Sequence, residues 1–323
     1  MSSATALAHP NIALIKYWGN RDEALRLPVN GSLSMNLAGL ETRTTVTWGQ
    51  SETDRLTING IEVQGASLKR VSDFLDLVRQ MAGLQERAMV ESQNNFPVGT
   101  GIASSASAFA ALALAATAAA GLELEPAALS RLARRGSGSA CRSVPDGFVE
   151  WLPGSGDDDS FAISIAPPEH WPLVDVIVIF SSKHKETGST EGHRLAATSP
   201  LQAARIADAP RRLEICRRAI LQRDFSAFAE VVELDSTMMH AVMMTSTPPL
   251  FYWQPATLEV LNLVRQARAQ GTAACATVDA GPNVHIICEE SAAKTVLQLL
   301  SGLSEIQEVR LTHVGRGARL ISS

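Results

Sequence analysis

Little in this 323-residue sequence points to disulfide, zinc or nucleic-acid chemistry. The four cysteines, Cys141, Cys216, Cys275 and Cys288, are widely spaced, with no C-x-x-C pair and no histidine cluster beside them. That excludes a disulfide framework and a zinc motif and fits free thiols in a reducing compartment. No set of metal-ligating side chains stands out. Charged residues make up 19% and hydrophobic residues 46%, the balance of a compact folded chain. The formal net charge of −5 carries no basic excess, which argues against a nucleic-acid partner. An anion site must therefore be built locally from Lys, Arg and backbone N–H groups. The N-terminal stretch has neither the basic start nor the apolar core of a secretory leader, so a cytoplasmic location is expected. Ile102 to Ala120 is free of charge and nearly long enough to span a bilayer. It is mostly Ala with Ser and Thr, whose insertion energy is weak, so we read it as a helix packed inside the protein, without a membrane partner.

What is present is concentrated in Asn95 to Leu122, NFPVGTGIASSASAFAALALAATAAAGL. A loop carrying Gly99 and Gly101 runs into Ser104, Ser105 and Ser107 and then into the alanine-rich helix. Glycine lets a ligand approach the backbone, and a helix N-terminus offers unpaired N–H groups to phosphate. No Lys follows the second Gly, so this is not a P-loop, and Ser104 replaces the third Gly of a dinucleotide fingerprint.

The length suggests two domains. Thr5–Leu7, Ser32–Leu37, Thr42–Trp48 and Ala88–Asn94 read as strands, with a hairpin at Asn59-Gly60. Helices are expected over Ser67–Leu84 with Ser67 as cap, and over Glu125–Arg135 ending at Gly136. Phe148–Leu152 and Phe161–Ile165 are further strands. Pro167-Pro168 is the candidate boundary, giving domains over 1–168 and 169–323. Beyond it, Val174–Phe180 is a buried strand. Helices follow over Leu201–Ala207, Pro210–Gln222, Asp224–Met239, Thr257–Gly271 and Ser291–Leu300. Strands Ala273–Thr277 and Val284–Ile287 flank the turn Asp279-Ala280-Gly281-Pro282-Asn283, and Ile306–His313 comes last. The mixture argues for an α+β protein whose two domains meet at a cleft.

Four more segments carry polar chemistry. Lys16-Tyr17-Trp18-Gly19-Asn20 follows a short apolar stretch. Arg135 to Ser143, with Ser137, Ser139 and Arg142, suits an anion. Lys183 to Gly192, with Ser189 and Thr190, suits phosphate, although a solvated charge run has the same composition. Asp279 is a turn residue unless a lysine approaches it and keeps it ionised.

Together NIALIKYWGNRD, NNFPVGTGIASSASAFAALA, GSGSACRSVPDGFVEW and DAGPN resemble the mevalonate diphosphate decarboxylase family, a branch of the galactokinase, homoserine kinase, mevalonate kinase and phosphomevalonate kinase superfamily. The resemblance spans nearly the whole chain with its motifs in order. It implies an N-terminal ribosomal-protein-S5-like domain and a C-terminal ferredoxin-like domain with the active site between them. It also implies ATP with Mg²⁺, a small phosphorylated mevalonate as substrate, and a homodimer. Residue by residue, it makes Asp279 the group that orients or deprotonates the 3-hydroxyl and Lys16 the cation beside it. Arg142 becomes the carboxylate ligand. Ser137, Ser139, Tyr17 and Trp18 line the substrate pocket, with Ser189 and Thr190 near a phosphate. Ser104, Ser105 and Ser107 form the ATP loop with Gly99 and Gly101.

Two positions depart from the family pattern. Asn20 stands where the family usually has Lys, and Asp146 where many relatives have Gly. Both suit a less negative substrate, mevalonate 5-phosphate in place of the 5-diphosphate, while Lys69 and Arg70 offer another phosphate ligand. The two substrates stand level on this reading. A kinase that phosphorylates without decarboxylating is the alternative, which the retention of Arg142 and Asp279 opposes. A catalytically silent binding protein is opposed by the intact Lys16, Ser107, Arg142 and Asp279 set.

Overall fold

In a computed structural model the described residues are 3–96, 104–180 and 188–322. The first half contains β1 (Ser3–Ala8), β2 (Asn11–Ile15), β3 (Asn20–Asp22), β4 (Leu27–Pro28), β5 (Ser32–Asn36), β6 (Thr42–Trp48), β7 (Arg55–Ile58) and β8 (Ile61–Val63). It continues with α1 (Ala66–Ala82), β9 (Ala88–Asn94), α2 (Ser104–Ala119), α3 (Pro126–Gly136), a 3-10 turn at Gly138–Ser143, β10 (Phe148–Trp151) and β11 (Ala162–Ala166). The second half contains β12 (Leu173–Ile179), α4 (Ser189–Leu195), α5 (Gln202–Gln222), α6 (Phe225–Met244), α7 (Pro255–Ala269) and β13 (Ala274–Val278). Then come β14 (Val284–Glu289), α8 (Ala293–Leu300), β15 (Glu308–His313) and β16 (Arg319–Ile321).

These strands form a six-stranded sheet β16-β1-β6-β9-β7-β8 and two four-stranded sheets, β11-β10-β5-β2 and β13-β14-β12-β15. The protein is a two-domain α+β fold. α1 and α2 pack on one face of the six-stranded sheet, and α3 packs against both helices. α2 is nearly all alanine because it is buried on most sides; small side chains let its backbone approach strands and neighbouring helices closely. Packing also explains Gly136, where a Cβ would lie 2.0 Å from the Phe109 ring. The sheet containing β2 and β5 shares a core with α5, α6 and the inner face of β12–β14, and this contact joins the two domains. Among the described residues no helix is long and apolar enough to cross a membrane.

Local signals held where they were strong. Asn59 and Gly60 have φ of 49° and 80°, the left-handed pair a tight hairpin needs. Others yielded to tertiary context. The expected break at Pro210 is absent: α5 runs unbroken through it. Burial of Arg205, Ala209, Arg212 and Leu213 on one side outweighs a proline cost of about 3 kcal/mol. Ser67 does not cap α1; Gly65, at φ 70°, occupies the cap position, without a side-chain hydrogen bond. Asn11–Ile15, read only as a short apolar stretch, is a fully buried strand paired with β5. The last strand, β16, leaves the C-terminal domain and pairs antiparallel with β1, so a cut at residue 168 puts it with the wrong sheet. It covers an edge that β1 would otherwise expose.

Candidate functional site

Lys16 directly follows β2, and Asp279 directly follows β13. Lys16 Nζ donates to Asp279 Oδ1 at 2.6 Å. The lysine is 1% exposed and the aspartate 26%, so one end of the pair is sealed and the other can be reached. Burial pushes the Asp279 pKa up, but the charges of Lys16, His285 and Arg142 and the Lys16 hydrogen bond outweigh it and hold the carboxyl below its ordinary value. The Lys16 peptide is itself clamped by the C-terminal helices. Its N–H donates to Asp235 of α6 at 2.6 Å, and its carbonyl accepts from Arg205 of α5 at 2.8 Å. Asp235 and Arg205 are buried, and neither was visible as a partner in the sequence.

Arg142 ends the 3-10 turn after α3. It is 3% exposed, and all its hydrogen bonds go to neutral groups. Nη1 donates to Ser32 Oγ at 2.7 Å, and Nε and Nη2 donate to Asn11 Oδ1 at 3.2 and 3.1 Å. No ion pair among the described residues includes it. Burial lowers its pKa, opposed by Cys141 and then Asp279. A buried cation with only neutral partners is unfavourable alone and suits an arriving carboxylate. Asn11 opens the NIALIKYWGNRD motif and Ser32 lies outside every motif; neither was read as a partner that aims this guanidinium.

Tyr17 packs edge-on to Trp151 and tilts against His193, and a Cβ at Gly138 would meet its ring at 2.5 Å. Its hydroxyl donates to Asn20 Oδ1, and Asn20 Nδ2 donates to Glu23 at 3.1 Å. Burial pushes the Tyr17 pKa up, so the phenol stays protonated. Trp18 belongs to the core: it is 2% exposed among Met239, Met243 and Leu250, and Gly192 leaves room for its ring. His193 accepts the Gly19 N–H on Nδ1 at 2.9 Å, a contact the sequence did not signal.

Ser137 lies 3.1 Å from Ser105, which joins the serine helix to the Arg142 turn. Ser104 and Ser105 are half-buried at the start of α2. Ser107 differs: it is fully buried, bonded to Thr42 at 2.7 Å and to the Ser104 carbonyl. Ser139 is half-buried, its carbonyl accepting from Asn11. Thr190 lies in the first turn of α4, as does Ser189. Gly99, Gly101 and the basic Lys183–Lys185 run lie outside the described residues.

Two expectations, Lys69 and Asp146, separate from the site. Lys69 is exposed and paired with Asp73 at 2.7 Å, whereas Arg70 turns inward. Asp146 accepts from the Gly317 N–H at 2.6 Å, so its carboxylate clamps the returning C-terminal segment and says nothing about substrate charge. Glu191 is exposed and pairs with Arg194. An apolar cavity beside Ser104 and Ser105, floored by Leu56, Val90, Phe109 and Leu112 and edged by Ser92 and Asn94, was not foreseen. It lies between sheet and helices that are far apart in sequence. Among the described residues no cluster of acidic, His or Cys side chains is arranged to hold a metal ion.

Residues 8–162 match the diphosphomevalonate decarboxylase-like N-terminal domain, and residues 175–319 match the mevalonate 5-diphosphate decarboxylase C-terminal domain. The Candida albicans diphosphomevalonate decarboxylase is 41% identical, over 93% of this chain and 88% of that protein. The human enzyme of the same name is 38% identical, over 88% of this chain and 76% of its own length. Mevalonate diphosphate decarboxylase from Staphylococcus aureus superposes with a TM-score of 0.95 at 37% identity, over 99% of this chain and 98% of that one. A structure described as a complex with MVAPP, AMPPCP and magnesium gives 0.93 at 39% identity, over 100% of this chain and 99% of that one.

Proposed function

This chain belongs to the diphosphomevalonate decarboxylase family, and from that premise we propose that it uses ATP to decarboxylate a 5-phosphorylated mevalonate. The observation that carries the reading is Arg142, a buried cation with neutral partners whose charge is felt by Asp279. A substrate carboxylate satisfies Arg142 while the 3-hydroxyl meets the accessible side of Asp279.

A tertiary hydroxyl is a poor leaving group; ATP supplies the phosphoryl group that makes it a good one, with Mg²⁺ offsetting the triphosphate charge. Asp279, kept ionised by Lys16, accepts the hydroxyl hydrogen bond, orients the oxygen and takes its proton as the O–P bond forms. Its negative charge then lies where positive charge develops at C3 as phosphate departs. Arg142 keeps the carboxylate aligned until the C1–C2 electron pair becomes the C2–C3 double bond and carbon dioxide leaves. The nucleotide fits the chain's own residues. The apolar cavity beside Ser104 and Ser105 suits a flat base, and the α2 N-terminus with its hydroxyls suits phosphates. The described residues offer no ready-made metal cage, which is compatible with an ion held largely by phosphate oxygens and water.

Two readings of the 5-substituent rest on different observations. The names of the relatives and the MVAPP complex support the diphosphate. Asn20, neutral and bonded to Tyr17 and Glu23, supports the monophosphate. A side-by-side assay with ATP and Mg²⁺, offering mevalonate, its 5-phosphate and its 5-diphosphate, decides between them. Release of ADP and carbon dioxide together is the expected outcome with one or both phosphorylated substrates. ADP without carbon dioxide would leave a kinase.

A further inference from the structure

A second group of arginines lies close to Tyr17 and Ser137. Arg26 sits in the turn between β3 and β4, with φ of 51°, a left-handed conformation uncommon for a side-chain-bearing residue. Asp22 helps hold that turn by accepting the Leu25 N–H at 2.7 Å. The Arg26 side chain reaches the C-terminal end of α3, where Nε donates to the Arg135 carbonyl at 3.1 Å. Arg70 comes from α1 to the next carbonyl in the chain. Its Nε and Nη2 donate to Gly136 O at 3.2 and 2.7 Å. Its guanidinium lies 4.6 Å from the centre of the Phe109 ring, against which Gly136 is also packed.

Two guanidiniums from different elements are thus tethered to consecutive carbonyls. Like charges brought together in this way repel in a partly solvated site. Burial, and then the charge of Arg26, lower the Arg70 pKa to about 10. Among the described residues neither Arg26, Arg70 nor Arg135 forms an ion pair. Three buried arginines elsewhere do, Arg79 with Asp54, Arg212 with Asp235 and Arg134 with Asp157, whereas Arg142 and Arg205 do not among the described residues. Both terminal nitrogens of Arg26, and Nη1 of Arg70, make no hydrogen bond within the described residues. A tether through Nε leaves the outer fork of Arg26 free for bidentate contact with a phosphate.

The location is informative. Arg70 lines the cavity with Ser104 and Ser105, Ser105 touches Ser137, and Arg26 acts on the buried Tyr17. Tyr17 is also the residue whose hydroxyl holds Asn20. The β3–β4 hairpin therefore carries at position 20 a neutral side chain bonded to Tyr17 and at position 26 a cation tethered to the Arg135 carbonyl, near enough for its charge to reach Tyr17. We propose that Arg26, acting with Arg70, grips the 5-phosphoryl end of the substrate and supplies from the hairpin's turn the positive charge that position 20 lacks. The inference deepens the decarboxylase reading and rests on it. On this account the charge has been moved along the hairpin, and Asn20 by itself does not report a weakened phosphate site.

The test is steady-state kinetics of Arg26→Gln, Arg26→Lys and Arg70→Gln. KM is measured separately for mevalonate 5-phosphate, mevalonate 5-diphosphate and ATP, with unfolding curves as a check on folding. Arg26→Gln is expected to raise KM for the preferred phosphorylated mevalonate by about 10- to 100-fold, the value of one charge-assisted contact. KM for ATP should stay within about threefold, since the nucleotide keeps its own cavity. Arg26→Lys should fall between, because an ammonium keeps the charge and loses the fork. Adding Asn20→Lys to Arg26→Gln should recover much of the lost affinity, an outcome that a purely structural role for Arg26 does not give. A selective rise in KM for ATP would assign the pair to the nucleotide and overturn the proposal. So would Arg26→Gln and Arg70→Gln with unchanged KM for every substrate. A wild-type chain that releases no carbon dioxide would overturn the decarboxylase reading instead. Calorimetric binding of mevalonate 5-phosphate and 5-diphosphate to wild type and Arg26→Gln would then still read the grip.

Discussion

Arg142 and Arg79 are both almost fully buried, at 3% and 6% exposure, yet they live in opposite surroundings. Arg79, near the end of α1, is bound on two sides to Asp54, with Asp76 adding a third carboxylate oxygen. Asp54 also accepts from Ser72 and the Ala88 N–H, so that region has its charges matched and its hydrogen bonds filled. Arg142 has only a serine hydroxyl and an asparagine carbonyl. The difference separates structure from function. Arg79 meets its counterion inside the chain and holds elements together, whereas Arg142, surrounded by neutral acceptors beside Asp279, suits an anion that comes and goes; neutral acceptors alone do not make that distinction, since Arg205 has them too and clamps the Lys16 peptide. Lys16–Asp279 stands between these cases. Its charges are matched, but one partner is open to solvent, which suits a group that must stay ionised and still touch substrate.

The comparison can be broken in order of expected effect. Asp279→Asn should lower kcat by about a thousandfold or more with KM for substrate little changed; near-native turnover would remove Asp279 from its assigned role. Arg142→Gln should reduce decarboxylation by roughly a hundredfold, measured as carbon dioxide released, while the melting temperature stays close to wild type. Arg79→Gln should do the reverse. It leaves the buried Asp54 with only the more distant cation of Arg87, 3.7 Å away, and costs about 3 kcal/mol in denaturant unfolding, with catalysis per folded molecule preserved. If both arginine variants destabilise equally, the distinction drawn between them is wrong. Asn20→Lys should shift preference toward the diphosphate by about tenfold, the smallest of these effects.

The same contrast has a pH signature. Burial pushes the Asp54 pKa up, but the hydrogen bonds from Arg79, Ser72 and Ala88 prevail and hold it below its ordinary 3.8. The stability this pair contributes is complete above that value and is lost as pH falls through the lowered folded-state pKa. For Asp279, also held below 3.8, the acid limb of kcat should lie under the usual carboxylate range. Lys16→Met should move that limb to higher pH, since burial is then opposed by Arg142 and His285 without the direct hydrogen bond. A limb unmoved in Lys16→Met would show that Lys16 does not set the ionisation of Asp279.

How legible these features were depended on how local they are. The Asn59-Gly60 hairpin, the serine-to-alanine helix and the Asp279 turn are written within a few residues each, where backbone preference and periodicity act. The second phosphate candidate split: Arg70 points inward, while the adjacent Lys69 is spent on Asp73 at the surface. Sequence position does not say which of two neighbouring cations on a helix meets the core. Arg26 carried no signal at all, because its meaning comes from the Arg135 carbonyl, Arg70 and Tyr17, which other elements deliver.

By itself the sequence determined the strongly patterned elements, the family and the chemical types at the site, because those follow from short-range propensity and motif order. It placed Lys16, Arg142 and Asp279 on the list of actors, and the family resemblance set Lys16 beside Asp279, without giving their burial or their other partners. Tertiary structure alone decided that Lys16 is sealed at 1% exposure while Asp279 stays open at 26%, and that Arg142 is aimed by an asparagine 131 residues upstream. It also decided that β16 closes the N-terminal sheet. Those contacts link segments far apart in the chain, and their energies come from burial and charge placement that exist only once the chain has packed.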